Sequence, residues 1–114
     1  MSGLVFLLMT SMRTMCGGLG EAMAANDTVR SLCNKVRSAI EQSNTSSAAL
    51  SEFEPISYRS QVVVAGTNYF VKIKVGPDAY AHARIFQPLP CNGSNPELSG
   101  VQWDKGQGDD IAYF

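Results

Sequence analysis

The sequence predicts an α+β fold in which one helix precedes several antiparallel strands. Apolar residues recur at three- and four-residue steps from about Asp27 to Gln42, which is typical of an amphipathic helix. After residue 53 the side chains instead alternate between apolar and polar in runs separated by turns that contain glycine or proline. A helix followed by consecutive strands is the order expected of an antiparallel sheet that packs on a helix.

Length and composition restrict the class of protein. The chain has 114 residues, which is enough for one modest core and too few for two ordinary domains. Nine Lys and Arg are scattered among ten Asp and Glu, so no basic surface for nucleic acid is indicated. Cys16, Cys33 and Cys91 form neither a CxxC pair nor a zinc-ligand spacing, and an odd number argues against a disulfide framework. We expect one domain without metal or cofactor, in a reducing cytoplasmic compartment.

The amino-terminal residues divide into two parts. A seven-residue apolar run begins at Gly3, is too short to span a bilayer and is not preceded by a basic residue. We therefore expect residues 1–14 to be an extension outside the fold; secretion is the alternative if residues 1–9 act as a signal. Residues 15–26, rich in Gly, Ala and Met without periodicity, predict a flexible trunk at the start of a domain that spans residues 15–114.

The predicted helix has one apolar stripe. Asn26 or Asp27 is the expected N-cap, and the polar run from Ser43 to Ser47 ends the helix because such side chains compete for backbone hydrogen bonds. Cys33 lies on the stripe, so we expect a buried and unreactive thiol. The stripe consists of Val29, Leu32, Cys33, Val36 and Ile40.

The strands are predicted around an apolar hairpin at Gly66. The strand before it begins near Phe53 or Ile56. The strand after it alternates from Tyr69 to Val75, with the odd-numbered residues on the face expected to meet the helix. The remaining predicted parts are a turn at Gly76-Pro77-Asp78, a strand over Tyr80–Phe86 whose alanines leave room for the helix, a strand over Leu98–Trp103 and a terminal edge at Ile111–Phe114.

No catalytic constellation is present. The one histidine, His82, is expected in mid-strand on one face with Tyr80 and Arg84, either hydrogen-bonded or solvated. No nucleophile with a base and an orienting group can be assembled around it, and nothing rigid would hold a base against Cys16 in the trunk. We therefore predict no catalytic residue and no enzyme.

Four sequence motifs carry the functional prediction. They are Met15-Cys16-Gly17-Gly18, Gln61-Val62-Val63-Val64-Ala65-Gly66-Thr67-Asn68-Tyr69-Phe70, Arg84-Ile85-Phe86-Gln87-Pro88-Leu89-Pro90 and Asp109-Asp110-Ile111-Ala112-Tyr113-Phe114. In this order they resemble the amino-terminal trunk, the first binding hairpin, the second binding loop and the carboxyl end of the stefins, the type 1 cystatins. The resemblance extends over residues 15–114 and implies a cystatin-like antiparallel sheet wrapped around one helix.

Stefins inhibit papain-like cysteine proteases. The resemblance therefore implies a reversible, tight-binding inhibitor of papain or of cathepsins L, S, H or B, which wedges the trunk and two loops into the active-site cleft. The implied protein is a monomer without nucleic-acid or membrane partners, with a disulfide-linked or domain-swapped dimer as the alternative. The implied binding residues are Gly17 and Gly18 of the trunk, Gln61, Val62, Val63, Val64, Ala65 and Gly66 (the first loop), and Leu89 and Pro90 (the second loop).

The alternative function is a non-inhibitory interaction module of the same fold. One departure from the family pattern keeps it open: the family's first loop reads Gln-Val-Val-Ala-Gly, whereas this chain has an additional valine between Gln61 and Ala65. Counting back from Gly66 places Val62 where the family has glutamine.

The additional valine also bears on strand register. Strand side chains have a period of two, so one inserted residue turns all earlier side chains over unless a bulge absorbs it. We therefore predict a bulge or a longer turn within Gln61 to Val64, with Gly66 and the strand from Asn68 in normal register.

Overall fold

The computed structural model describes residues 18–44, 50–89 and 95–114, and within them a five-stranded antiparallel sheet packs on two short helices. The strands lie side by side in chain order. This arrangement confirms the predicted α+β class. The elements are β1 (Met23–Ala24), α1 (Asp27–Lys35), α2 (Arg37–Ser43), β2 (Glu54–Val63), β3 (Gly66–Gly76), β4 (Ala79–Pro88) and β5 (Glu97–Lys105).

The helical region begins as predicted and is interrupted at Val36. The Asn26 side chain is the N-cap and accepts a hydrogen bond from the Val29 N–H at 2.9 Å. At Val36 the backbone leaves helical geometry (φ −106°, ψ 10°), and its N–H is shared between the carbonyls of Leu32 and Cys33 at 3.3 and 3.2 Å. The predicted single helix is thus two segments. Within the described ranges, neither is long and apolar enough to cross a membrane.

The predicted apolar stripe forms the helical side of the core. Its five residues are all buried, and the side chain of Ile40 is fully so, which contributes roughly 1.5–3 kcal/mol by transfer from water. On the sheet side, Ala81 and Ala83 are also fully buried, and their small side chains allow close approach of the helices. The β3 residues in this core are Val71, Ile73 and Val75, with Tyr69 packed against them. The predicted alternation is confirmed.

The opposite face of the sheet is also covered. Phe70 is fully buried there, and its ring lies 5.6 Å from that of Tyr113 and 5.7 Å from that of Phe114. The predicted terminal edge strand is therefore wrong: the carboxyl-terminal segment (Ile111–Phe114) is not in a strand and packs on the outer face. The reason is that side chains bind its carbonyls, since Arg84 Nη1 donates to the Phe114 oxygen at 2.7 Å.

The ladder between β2 and β3 shows how the additional valine is accommodated. Pairing is continuous from Ser57 opposite Lys72 to Val63 opposite Gly66. The predicted bulge or longer turn within Gln61 to Val64 is therefore wrong, and residues 64–65 form a two-residue turn.

The register shift of β2 lies between Pro55 and Ser57 instead. Proline has no N–H to donate to the ladder, so an irregularity beside Pro55 has a small free-energy cost. Ile56, which this shift leaves out of the paired positions, uses its carbonyl to accept a hydrogen bond from the Ala25 N–H at 2.9 Å.

Part of the predicted trunk lies on the sheet. Met23 pairs with Tyr58 and Ala24 with Ser57 in the short strand β1. The Gly20 N–H also donates to the Ser60 carbonyl at 2.8 Å. The prediction of a flexible trunk over residues 15–26 is thus wrong for Met23 and Ala24, because backbone groups at the edge of β2 provide partners that composition does not reveal.

Candidate functional site

The first loop presents large apolar side chains to solvent. Val64 is 96% exposed and Val62 is 70% exposed, both at the end of the β2–β3 hairpin. Ala65 between the strands is exposed as well, and Val63 is half-buried. Adjacent exposed aliphatic side chains at a sheet end indicate a surface that another protein covers.

The second loop is joined directly to the first. The Leu89 N–H donates to the Ala65 carbonyl at 3.0 Å, and the Leu89 side chain is 43% exposed. Gly66 pairs with Pro88, and a Cβ on Gly66 would collide with the Gln87 carbonyl oxygen and lie 2.9 Å from the Pro88 Cα. Glycine is therefore required for this close approach, and the two loops form one apolar edge.

The trunk leads to the same end of the sheet. Gly20 is bonded to Ser60, and the chain runs antiparallel to β2 in this region. The residues before Gly20 therefore continue from Ser60 in the direction of the first loop. Gly18 is exposed, and a Cβ there would meet no atom within 4 Å. Gly17 and Pro90, the other implied binding residues, lie outside the described residues.

Gln61 differs from the rest of the first loop because it is buried. Only 7% of its surface is exposed, and its Oε1 accepts a hydrogen bond from the Asn68 Nδ2 at 3.0 Å. Asn68 is buried too, directly opposite in the ladder. Gln61 thus stabilises the base of the hairpin, whereas the exposed tip is formed by valines.

The titratable groups do not form a reactive centre. Burial raises the pKa of the Cys33 thiol to about 12, so this predicted inert cysteine stays protonated. Burial also lowers the pKa of His82 to about 4, with smaller contributions from the positive charges of Lys72 and Lys105 that exceed the opposing effect of Asp109. Among the described residues no group of three or more His, Cys, Asp or Glu side chains could hold a metal ion.

The environment of His82 differs from the prediction. Its side chain is fully buried, and neither ring nitrogen has a hydrogen-bond partner among the described residues. The expectation of a hydrogen-bonded or solvated histidine is therefore wrong. The cause is the covered outer face: His82 lies opposite Lys72, whose Nζ donates to the carbonyls of Gln107 and Asp109 at 2.6 Å each.

Arg59 is a residue that the sequence analysis did not single out. Its Nε donates to the Gly20 carbonyl at 2.8 Å, and its Nη1 donates to the Ile111 carbonyl at 2.7 Å. Both partners are main-chain groups that are remote in sequence. Such partners leave no pattern of residue types, so nothing in the sequence could have identified the interaction.

Comparison with known proteins gives matches over most of the chain. Residues 17–107 match the cystatin domain. Cystatin-B of Oplegnathus fasciatus is 39% identical over 103 residues, which are 90% of this chain and 100% of that protein. Leukocyte cysteine proteinase inhibitor 1 of Sus scrofa is 40% identical over 106 residues, 93% of this chain and 100% of that protein. Cystatin-B of Homo sapiens is 36% identical over 100 residues, 88% of this chain and 99% of that protein.

These matches confirm the resemblance inferred from the four motifs, and they agree with the prediction that the chain is not an enzyme. They also agree with the geometry, in which a sheet packed on a helix brings two loops together at one end. The domain match and the relatives aligned over nearly their whole length show that this chain belongs to the cystatin family.

Proposed function

We propose that this chain is a reversible, tight-binding inhibitor of papain-like cysteine proteases. It inserts the trunk, the first loop and the second loop into the active-site cleft as one wedge. The observation that carries the proposal is the hydrogen bond between Leu89 and Ala65, which joins two exposed apolar loops at one end of the sheet. Membership in the cystatin family supports the same activity.

The wedge binds by burial of apolar surface. Covering Val62, Val64 and Leu89 contributes roughly 1.5–3 kcal/mol for each side chain. Loss of translational and rotational freedom and ordering of side chains oppose binding by several kcal/mol. The joined loops reduce the ordering term because their backbone is already held by the ladder and by the Ala65–Leu89 hydrogen bond.

The binding that we propose is noncovalent. Cys33 is buried and protonated, and His82 is fully buried, so neither of these groups can attack a protease or accept a proton from its thiol. The wedge instead fills the cleft on both sides of the catalytic cysteine.

The targets we propose are papain and cathepsins L, S, H and B. The described binding residues of the two loops carry no ionisable side chain, so at the loops shape rather than charge selects among these proteases. We further propose a monomer in the reducing cytoplasm, with residues 15–114 as the inhibitory domain and residues 1–14 as an extension.

Titration of active papain tests the inhibition and the role of the first loop together. Val64→Asp should raise the dissociation constant by about 100-fold or more, because burying an unpaired carboxylate in the cleft costs several kcal/mol. Ser38→Asp is the matched control, since it adds the same charge at an exposed helical position away from the wedge. Equal inhibition by Val64→Asp and the unmodified chain would remove the first loop from the interface.

A second measurement tests the noncovalent mechanism. Papain whose catalytic thiol carries a small blocking group should still bind the chain, though more weakly, because the wedge needs the cleft and not the thiol. Complete loss of binding, or a covalent adduct with active papain detected by mass spectrometry, would contradict the mechanism.

A further inference from the structure

Gly20 attaches the trunk to the sheet ahead of the short strand β1. Its N–H donates to the Ser60 carbonyl at 2.8 Å, and its carbonyl accepts a hydrogen bond from the Arg59 Nε at 2.8 Å. Both backbone groups of Gly20 are thus bonded, whereas Gly18 two residues earlier is exposed with open space around it. The direction in which the trunk leaves the sheet is set at Gly20.

The Arg59 side chain is itself held from the other side. Its Nη1 donates to the Ile111 carbonyl at 2.7 Å, and the Ile111 side chain is buried on the outer face. A guanidinium is planar and has donors in fixed directions, so binding one carbonyl orients the donor that binds the other. The carboxyl-terminal segment therefore fixes Arg59, and Arg59 fixes Gly20.

We propose that Arg59 is a positioning residue for protease binding, which directs the trunk toward the two loops before the protease arrives. The proposal rests on the proposed function, because the trunk matters only if the wedge enters a protease. Arg59 does not touch the protease in this scheme. It acts through Gly20, by reducing the freedom that the trunk loses on binding.

The effect is expected mainly on the dissociation rate, because interface changes usually alter dissociation more than association. Arg59→Met keeps most of the length of the side chain and removes every donor. It should raise the rate of dissociation from papain about fivefold, the range expected when one ordering contribution is lost. Arg59→Lys retains the charge and one donor group, and should restore part of the difference.

The decisive experiment measures Arg59→Met in the full chain and in a chain that lacks residues 1–18. The deletion removes Gly18 and retains Gly20, so any general loss of stability from Arg59→Met is the same in both. We expect the increase in dissociation rate in the full chain and less than about a twofold change in the shortened chain. Equal increases in both would show that Arg59 acts through the fold as a whole, and would overturn the proposal.

Arg37→Met is the matched control for removing an arginine. Arg37 pairs with Glu41 at 3.3 Å and lies over the ring of Phe53, so its described contacts involve neither the trunk nor the carboxyl-terminal segment. Its effect on dissociation should be the same with and without residues 1–18. A trunk-dependent effect of Arg37→Met as large as that of Arg59→Met would contradict a specific role for Arg59.

Amide hydrogen exchange of the free protein provides a readout without a protease. In Arg59→Met the Gly20 amide should exchange faster, while amides in β3 keep their protection. Unchanged exchange at Gly20 would overturn the proposal even if papain is inhibited. Faster exchange at Gly20 in a chain that fails to inhibit papain would instead support the anchoring by Arg59 and contradict the proposed function.

Discussion

Gly66 lies where the first loop passes closest to β4. Its neighbours across the ladder are backbone atoms of Gln87 and Pro88, which cannot move aside as the end of a flexible side chain can. A side chain at this position would separate β3 from β4 at the end that bears both loops.

We predict that Gly66→Ala destabilises the protein by roughly 1–3 kcal/mol, as expected for overpacking against backbone, and weakens papain inhibition. Thermal unfolding and papain titration measure the two effects. Gly108→Ala is the control, because a Cβ at Gly108 meets nothing within 4 Å. An unchanged unfolding midpoint in Gly66→Ala would contradict the close approach of β4.

His82 makes stability depend on pH. Its pKa is lowered from 6.5 to about 4 in the folded protein, mainly by burial. As pH falls below 6.5, His82 therefore becomes protonated in the unfolded chain while it stays neutral in the folded chain. This proton binding stabilises the unfolded state relative to the folded state. The free energy of unfolding should fall as pH decreases from about 6.5 to about 4, by up to about 3 kcal/mol in total.

We predict that His82→Leu removes most of this dependence above about pH 5, where carboxylates contribute little. The chain has one histidine, so no other imidazole contributes. Leucine also replaces two ring nitrogens without described partners, so stability at pH 7 should not fall. Urea unfolding across pH 5 to 7.5 measures both effects, and an unchanged slope in the variant would show that His82 does not titrate as described.

At the scale of elements, β1 and the hydrogen bond of Gly20 attach the trunk to the edge of β2. Removing residues 1–18 retains all of these hydrogen bonds, so the fold should be unaffected. Only the part of the trunk that extends toward the protease is lost.

We predict that this deletion raises the dissociation constant for papain about tenfold or more, the contribution of one buried side chain, and leaves the unfolding midpoint unchanged. Unchanged affinity would confine the interface to the two loops. A lower midpoint would show that residues before Gly20 stabilise the sheet.

The elements themselves were predicted because their signals are local. The helical stripe follows from a side-chain period of 3.6 and the alternation in β3 from a period of 2. Each period can be read from a short segment of sequence without knowledge of the rest of the fold. The register shift at Ile56 was missed because it depends on contacts between separate parts of the chain. Pro55 lies beside the shift, and the Ile56 carbonyl accepts a hydrogen bond from the Ala25 N–H. The packing of the carboxyl-terminal segment was missed because it depends on remote arginines.

The candidate site was predictable to a similar extent. The apolar tips were visible as runs of residue types, and the structure places Val62, Val64 and Leu89 in solvent at one end of the sheet. The burial of Gln61 was not visible, because the sequence motif does not separate it from the exposed residues of the first loop. Its hydrogen bond with Asn68 depends on the register of β2 against β3. Arg59 escaped notice because its partners are carbonyls.

At the scale of the whole molecule, Cys33 reports on opening of the core. Its thiol is fully buried on the helical stripe, and burial raises its pKa to about 12. The core cluster to which it belongs is formed mainly by residues of the helices and the sheet. Reagents should therefore reach it only when the domain unfolds.

We predict that the double variant Cys16→Ser, Cys91→Ser does not react with a thiol reagent in native buffer and reacts fully in denaturant. Its reaction rate at intermediate denaturant should follow the population of unfolded protein. Rapid reaction of the native double variant, or a reducible dimer formed in air, would contradict the burial of Cys33.

The bond between Ala65 and Leu89 affects how the inhibitor can be re-engineered. Grafting only one loop from a relative would change the backbone on one side of the hydrogen bond between the Ala65 carbonyl and the Leu89 N–H. The close approach of Gly66 to Pro88 leaves no room for the other loop to adjust. Libraries that vary the two loops independently should therefore be poor in functional members. Varying and selecting both loops together should yield variants with a changed protease specificity that neither loop provides alone.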